Sequence, residues 1–132
     1  MMNTVIDTNI VVSAALSPKG NPAKILNFIL DNDEMQLFYT TKIFDEYKKV
    51  LSYERLRIDA ETQNRILKNI VIVGILIEPP QSTIPMPDET DRVFYDTARA
   101  SGSILITGNT KHYPAKPFIV TATDFLSKLE NG

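Results

Sequence analysis

NTVIDTNIVVS, residues 3–13, is the stretch that decides the fold. Its β-branched, apolar start predicts a strand over residues 4–6 that is buried on both faces, and residues 7–9 can cap a helix that begins near Ile10. Asp7 therefore falls at the carboxyl end of the first strand. In open α/β sheets, ligands collect at that edge, beside helix N-termini. The carboxylate of Asp7 has two interpretations, as a ligand for a bound cation or as an ordinary helix cap.

Length and composition predict one ordinary globular domain, residues 1–132. Of the 132 residues, 43% are hydrophobic and 23% are charged, and cysteine is absent. The sequence therefore excludes disulfide scaffolds and thiolate chemistry, and it fits a reducing compartment. Because the N-terminal apolar run is broken at Asp7, we expect a cytoplasmic protein with neither a signal peptide nor a membrane span. The net charge is −2, so a polyanionic ligand would need bound cations or a local basic patch.

Strand and helix patterns alternate along the rest of the chain. Strands are predicted over residues 4–6, 36–39, 75–77, 103–107 and 118–120, and helices over residues 10–16, 22–30, 41–52, 60–74, 88–101 and 122–129. The alternation predicts an α/β fold in which helices cover both faces of a central twisted parallel sheet of four or five strands. Between the third strand and the fifth helix, a proline-rich segment predicts an extended connection.

The fifth predicted helix carries three acids whose positions follow from its helical wheel. Asp91 borders the inward face of this helix. Asp88 lies one turn earlier on the same flank, where it also suits the N-cap position. Asp96 falls on the far side, and we expect it in solvent. On the third predicted helix, Glu46 lies at the edge of an apolar stripe.

Asp7, Glu46 and Asp91 could converge near the carboxyl edge of the sheet. Three carboxylates without a basic partner repel one another and raise one another's pKa values. A divalent cation removes that penalty, and oxygen ligands without Cys or His suit Mg²⁺ or Mn²⁺ rather than Zn²⁺. Such acidic clusters serve the hydrolysis of phosphodiesters, because the ion activates water and neutralises charge on the scissile phosphate. The pattern indicates a metal-dependent nuclease.

Four motifs together make the chain resemble PIN-domain ribonucleases, and most closely the PIN-type toxins of bacterial and archaeal toxin–antitoxin pairs. The motifs are VIDTNIVVSA, FDEYKKVL, DETDRVFYDTA and LITGNTKHY. The resemblance implies a PIN-like three-layer α/β/α sandwich. It also implies an endoribonuclease toxin that hydrolyses RNA, is neutralised by a small antitoxin protein and forms a homodimer.

The resemblance also implies roles for the acids. Asp7, Glu46 and Asp91 correspond to the first three metal ligands of the family, with direct parts in catalysis. Asp88 looks like the additional metal-site acid found in one branch of the family. The cofactor that such a set implies is Mg²⁺ or Mn²⁺.

One turn departs from the family pattern. Where many members place a fourth acid, this chain has Asn109, after a Thr-Gly pair that begins at Thr107. Asn109 and Thr107 could still position the attacking water, and Asn109 is retained as a catalytic candidate, but the number of metal ions is open. Thr8 and Asn9 look like residues that orient Asp7 or contact the phosphate, although local helix capping would also explain them.

Two other functions stay open at this point. The chain could be a catalytically weak PIN-fold module that binds RNA or a protein partner, with Asn109 as the sign of lost catalysis. A receiver-like or phosphohydrolase domain also places acids at strand ends, but the first strand here is followed by Asp-Thr-Asn rather than by two acids. His112 lies in a predicted loop, where a surface position is a simpler explanation than general-base catalysis.

Overall fold

A five-stranded sheet is the middle layer of the structure, a computed structural model in which residues 2–131 are described. The strands are β1 (Met2–Ile6), β2 (Met35–Tyr39), β3 (Ile75–Leu76), β4 (Ile104–Thr107) and β5 (Ile119–Thr121). The α-helices are α1 (Thr8–Leu16), α2 (Asn21–Asp31), α3 (Thr41–Leu51), α4 (Ala60–Val73), α5 (Arg92–Ser101) and α6 (Ala122–Asn131). Short 3₁₀ helices lie at Glu54–Leu56, Glu89–Asp91 and Thr110–His112. None of the helices within residues 2–131 is long and apolar enough to span a bilayer.

The first strand occupies the centre of the sheet, as its β-branched sequence predicts. The strand order is β3-β2-β1-β4-β5, and every neighbouring pair is parallel. Val5 pairs with Leu105 of β4, and both side chains are fully buried. A strand with neighbours on both sides and helices on both faces has no solvent-exposed side, which explains its run of apolar residues.

The chain reverses direction across the sheet between β1 and β4. From β1 it winds outward through β2 to β3, and helix α5 then carries it back to β4 on the other side of β1. Because crossovers between parallel strands are right-handed, helices α1 to α4 lie on one face and α5 lies on the other, packed against β1, β2 and β4. The predicted three-layer α/β/α architecture is therefore confirmed. The reversal leaves a crevice at the carboxyl ends of β1 and β4, where open α/β sheets bind ligands.

Helix boundaries near this crevice differ from the predicted ones. Helix α1 begins at Thr8, two residues earlier than expected, and Asp7 is its N-cap residue without a side-chain cap hydrogen bond. The predicted fifth helix is divided, since a 3₁₀ turn over Glu89–Asp91 precedes α5. A single 3₁₀ turn has no repeat in the sequence, so the hydrophobic period could not separate it from the α-helix.

Asp96 is buried, with 8% of its surface exposed, so its expected position in solvent is wrong. The backbone N–H of Ser82 donates a hydrogen bond to Oδ2 of Asp96 at 2.9 Å. Ser82 belongs to the proline strap, which we define as residues 78–84, and this segment covers the side of α5 that faces away from the sheet. The helical wheel predicts burial only on the side of α5 that faces the sheet. It therefore placed Asp96, on the opposite side, in solvent.

Candidate metal centre

Asp7 lies at the carboxyl end of β1, in the crevice between β1 and β4. Its backbone N–H donates to the carbonyl oxygen of Ile106 at 2.9 Å, which continues the β1–β4 ladder by one residue. Its carboxylate is buried, and Oδ2 accepts hydrogen bonds from the Thr107 hydroxyl at 2.9 Å and from the Tyr113 hydroxyl at 2.8 Å. The side chain of Asp7 is thus turned toward β4 and does not cap α1.

Two tyrosines that the sequence analysis missed surround Asp7. Burial raises the pKa of Tyr113 far above its ordinary value, and the Asp7 carboxylate adds to this effect. The hydroxyl therefore stays protonated and donates a hydrogen bond to Asp7. Tyr47, fully buried on α3, donates to the carbonyl oxygen of Ile6, and its pKa is raised by burial and by the charges of Asp7 and Glu46. The sequence feature that could have identified Tyr113 is its position as a large aromatic residue within a polar loop, immediately before Pro114. Tyr47 belongs to the apolar stripe of the third predicted helix, and that pattern indicates core packing without indicating a site.

Glu46 lies on α3, half-buried, and accepts a hydrogen bond from the hydroxyl of Thr8. Thr8 is the first residue of α1, so its side chain joins the start of α1 to the middle of α3. Capping of α1 therefore does not explain Thr8. The structure places Thr8 as a residue that holds Glu46, one position after Asp7 in the chain.

Asp91 closes the 3₁₀ turn before α5, and its side chain is 14% exposed. Its Oδ2 is buried and has no hydrogen-bond partner among residues 2–131, and the nearest cationic candidate is Nδ1 of His112, 3.5 Å away. Burial raises the pKa of Asp91 to about 6, and the negative charges of Asp7, Asp88 and Glu46 act in the same direction, against an opposing effect of His112. The raised pKa of Asp91 therefore reflects mainly its burial and, in addition, the negative charges around it.

The structure brings Asp7, Glu46 and Asp91 into one neighbourhood, which we call the acid cluster. Their charges raise the pKa of Tyr113 together, with Asp7 as the nearest of them. In the present side-chain positions, however, no three acidic or histidine side chains among residues 2–131 are close enough together to hold one ion. The donor set still fits a hard cation, because it consists of carboxylate oxygens and includes the unpartnered Oδ2 of Asp91.

Asp88 caps the 3₁₀ turn that ends at Asp91. Its Oδ1 accepts hydrogen bonds from the backbone N–H of Thr90 at 3.0 Å and from the Thr90 hydroxyl at 2.8 Å. These bonds hold the pKa of Asp88 below its usual value. The N-cap interpretation of Asp88 is therefore correct, and the exposed carboxylate also contributes negative charge near Asp91.

The turn after β4 uses its polar side chains for local contacts. The hydroxyl of Thr107, fully buried, donates to Asp7 and accepts from the backbone N–H of Asn109 at 3.2 Å. Asn109 is exposed, and its Oδ1 accepts from the N–H of Lys111 at 3.0 Å, so it caps the 3₁₀ helix at Thr110–His112. Asn9 accepts from the N–H of Gly108 at 3.0 Å and ties α1 to this turn. Thr107 thus orients Asp7, and Asn9 orients the turn.

Comparisons with known proteins agree with this architecture. The PIN domain family model matches residues 3–111. The uncharacterized protein MJ1680 of Methanocaldococcus jannaschii is 32% identical over 111 residues, which are 82% of this chain and 71% of that protein. The crystal structure of PAE2754 from Pyrobaculum aerophilum is similar with a TM-score of 0.65 and 17% identity, over 99% of this chain and 91% of that one. The crystal structure of VapBC2 from Rickettsia felis, bound to a DNA fragment from its promoter, is similar with a TM-score of 0.59 and 17% identity, over 91% of this chain and 97% of that one.

Proposed function

The chain belongs to the PIN domain family, and we propose that it is a Mg²⁺- or Mn²⁺-dependent endoribonuclease. The observation that carries the proposal is the acid cluster at the carboxyl edge of the sheet, where burial first and the charges of Asp7, Asp88 and Glu46 second raise the pKa of Asp91. A protein gains nothing in stability from ionised acids that lack basic partners, so a cation that pairs with them is the simplest reason for the arrangement.

Each member of the acid cluster would have a defined part in binding the ion. Asp7 presents its carboxylate from a fixed position, because Thr107 and Tyr113 both donate to Oδ2. Glu46 is oriented by Thr8, and Asp91 offers an oxygen that has no other partner. When bound, the ion would lower the pKa of a coordinated water and neutralise charge on the scissile phosphate.

Residues around the acid cluster would complete the site. Asp88 would add negative charge from its position one turn before Asp91, and it could contact the ion through water. Asn109 has an exposed side chain whose Oδ1 is engaged by Lys111, which leaves the amide nitrogen to donate to a phosphate oxygen or a water. We propose these as supporting roles. Whether Asp88 and Asn109 both take part would decide how many ions the site holds.

RNA cleavage in the presence of Mn²⁺ tests the proposed function. We expect the native protein to cut a single-stranded RNA internally when Mn²⁺ or Mg²⁺ is present, and excess EDTA should stop the reaction. If RNA stays intact under both ions while the protein still binds it, the alternative function is correct. The chain would then be a PIN-fold binding module, and the absence of an acid at Asn109 would be the structural feature that favours it.

The pKa of Asp91 predicts how cation binding depends on pH. Protons compete with the ion for the Asp91 carboxylate, which is mostly protonated below about pH 6 and mostly ionised above it. Mn²⁺ affinity should therefore be about ten-fold weaker at pH 5 than at pH 7. Above pH 7 the Asp91 carboxylate is almost fully ionised, so its contribution to the pH dependence should level off. Isothermal titration with Mn²⁺ measures the profile. Asp91→Asn is the control, and a profile of the same shape in this variant would assign the dependence to another group.

We propose that the protein acts in the cytoplasm as the toxin of a toxin–antitoxin pair. The motifs that carry the family resemblance and the similarity in fold to VapBC2 from Rickettsia felis support this proposal. A small antitoxin would neutralise the protein by covering the acid cluster. Expression of the native chain should arrest bacterial growth, and co-expression of the product of the adjacent open reading frame should restore it. Growth that is unaffected by a soluble, Mn²⁺-active enzyme would contradict the toxin role.

We also propose a homodimer, and the free edge of β3 is the surface that suits it. Val71, Ile72 and Leu76 are 54%, 67% and 54% exposed at the end of α4 and in this edge strand. A two-fold axis beside β3 would pair the edge with its copy and cover these side chains, as isologous interfaces do. Ile72→Glu should give a monomer in light scattering where the native chain gives a dimer, with unchanged circular dichroism. Lys128→Glu, an exposed change of charge on α6 beside β5 at the opposite edge of the sheet, is the control.

A further inference from the structure

A cavity of about 340 Å³ lies between α5 and the proline strap, outside the acid cluster. Carbon-rich walls come from Pro79, Pro80 and Ile84 of the strap and from the ring of Tyr95. Asp96 and Arg99 are the charged residues of its lining. A second, smaller cavity of about 160 Å³ is also lined by Pro79 and Asp96. Asp96 therefore borders open space in two directions.

Asp96 is 92% buried and has an unsatisfied oxygen. Its Oδ2 accepts from Ser82, but its Oδ1 has no hydrogen-bond partner among residues 2–131. The nearby guanidinium of Arg92 is engaged by Glu89 at 2.6 and 2.7 Å and by Ser82 at 3.0 Å, and none of its hydrogen bonds reaches Asp96. A buried carboxylate oxygen without a donor is costly to leave unpaired. Asp96 thus lines the cavity, and it carries an acceptor for which the described chain supplies no donor.

The positive charge of Arg99 limits which hydrogen-bond donors the cavity can bind. This side chain is exposed, and its one hydrogen bond among the described residues is a long contact of 3.5 Å with the Tyr95 hydroxyl. A cationic ligand for Asp96 would be repelled by Arg99. A neutral planar group with donors on one edge and acceptors on another would satisfy Asp96 and Arg99 together, and its faces would lie against the carbon-rich walls.

We propose that this cavity binds a guanine base of the RNA. Guanine offers N1–H and the 2-amino group as donors for Asp96, and it offers O6 and N7 as acceptors for Arg99. Adenine has a donor only at its 6-amino group among these positions, and pyrimidines are smaller. Recognition of single-stranded RNA commonly combines contacts to base faces with hydrogen bonds to base edges, and the cavity offers both. The inference rests on the proposed ribonuclease function and adds a base preference to it.

The cavity and the acid cluster are connected by the same helix. Asp96 is the fifth residue of α5, and Asp91 ends the 3₁₀ turn just before that helix, so the two positions are about 7.5 Å apart along the helix axis. The two acids flank the first half of the helix on different sides. A short single strand that bends over the start of α5 could place a guanine against Asp96 and a phosphate near Asp91.

Nucleotide binding without metal tests the base preference independently of cleavage. GMP, AMP and IMP carry the same phosphate, so differences among them in excess EDTA report the base alone. We expect GMP to bind about ten-fold or more tightly than AMP in an amide NMR titration, with shifts at Ser82 and Ala100, and IMP to fall between them because it lacks the 2-amino group. Asp96→Asn and the exposed change Arg99→Gln should each remove the preference, whereas Asp45→Asn, exposed on α3, should keep it.

Any of four results would overturn the inference. One is equal binding of GMP and AMP by the native protein, which needs no variant to fold. Another is a preference that survives both Asp96→Asn and Arg99→Gln. The third is displacement of GMP by N-acetylarginine amide at the same amides, which would assign the cavity to a basic side chain of a protein partner. The fourth is RNA cleavage by the protein with Mn²⁺ that shows no guanine preference, which would leave the proposed function standing and refute this inference alone. A guanine preference without cleavage would refute the proposed function alone.

Discussion

Asp7→Asn should reduce RNA cleavage by more than about 100-fold, because changes to residues that merely support a metal ligand already cost about 10- to 100-fold. The substitution removes the charge while keeping the shape. The amide oxygen can still accept from Thr107 and Tyr113, which turns the amide N–H₂ toward the place where the ion would bind. The fold should therefore remain intact while affinity for the ion is lost. Initial rates of RNA cleavage at saturating Mn²⁺ measure the effect.

The matched control for Asp7→Asn is Asp45→Asn. Asp45 lies on α3 next to Glu46 in the chain, but its side chain is exposed, so the substitution makes the same change in net charge away from the acid cluster. This variant should retain native cleavage. Equal cleavage by Asp7→Asn, Asp45→Asn and the native protein would show that Asp7 is not part of the reacting site.

Asp91→Asn should stabilise the metal-free protein and abolish its response to Mn²⁺. Because the folded-state pKa of Asp91 is raised to about 6, its contribution to stability is present at low pH and is lost as the pH rises through about 6. At pH 7.5 the ionised carboxylate therefore destabilises the free protein. Its replacement should increase the free energy of unfolding by about 1–2 kcal/mol, a value reduced from the full shift because the site is partly solvated.

Thermal unfolding at pH 7.5 and at pH 4 measures this effect. Without Mn²⁺, Asp91→Asn should unfold at a higher temperature than the native protein at pH 7.5, and the difference should become small at pH 4. Saturating Mn²⁺ should raise the unfolding temperature of the native protein and leave that of the variant unchanged. A variant that is less stable than the native protein at pH 7.5 would mean that Asp91 is a structural residue and not a strained ligand.

Sequence patterns predicted most of the fold because most of the longer helices carry a hydrophobic period and the first strand is a short apolar run. The run at residues 4–6 predicted a strand that is buried on both faces, and the stripe on α3 predicted which side of that helix faces the core. Glu46 was predicted at the edge of that stripe, and the structure has it half-buried. The division at Glu89–Asp91 had no such period and was missed.

Contacts between distant segments could not be predicted in the same way. Tyr113 and Asp7 are 106 positions apart, and their hydrogen bond depends on the path of the loop after β4. Asp96 was misplaced for a similar reason, because the strap that covers it has no periodic pattern. The motifs named the acids of the cluster, but the residues that hold those acids in place became visible only with the fold.

Anomalous scattering from crystals grown with Mn²⁺ is the most direct measurement of the central claim. We expect a peak at the carboxyl edge of β1, with oxygen atoms of Asp7, Glu46 and Asp91 within about 2.5 Å of it or linked to it by one water. Rotation of Glu46 away from Thr8 toward the ion would accompany binding. A peak that contacts only one of these acids, or crystals soaked at millimolar Mn²⁺ without any peak there, would contradict the account.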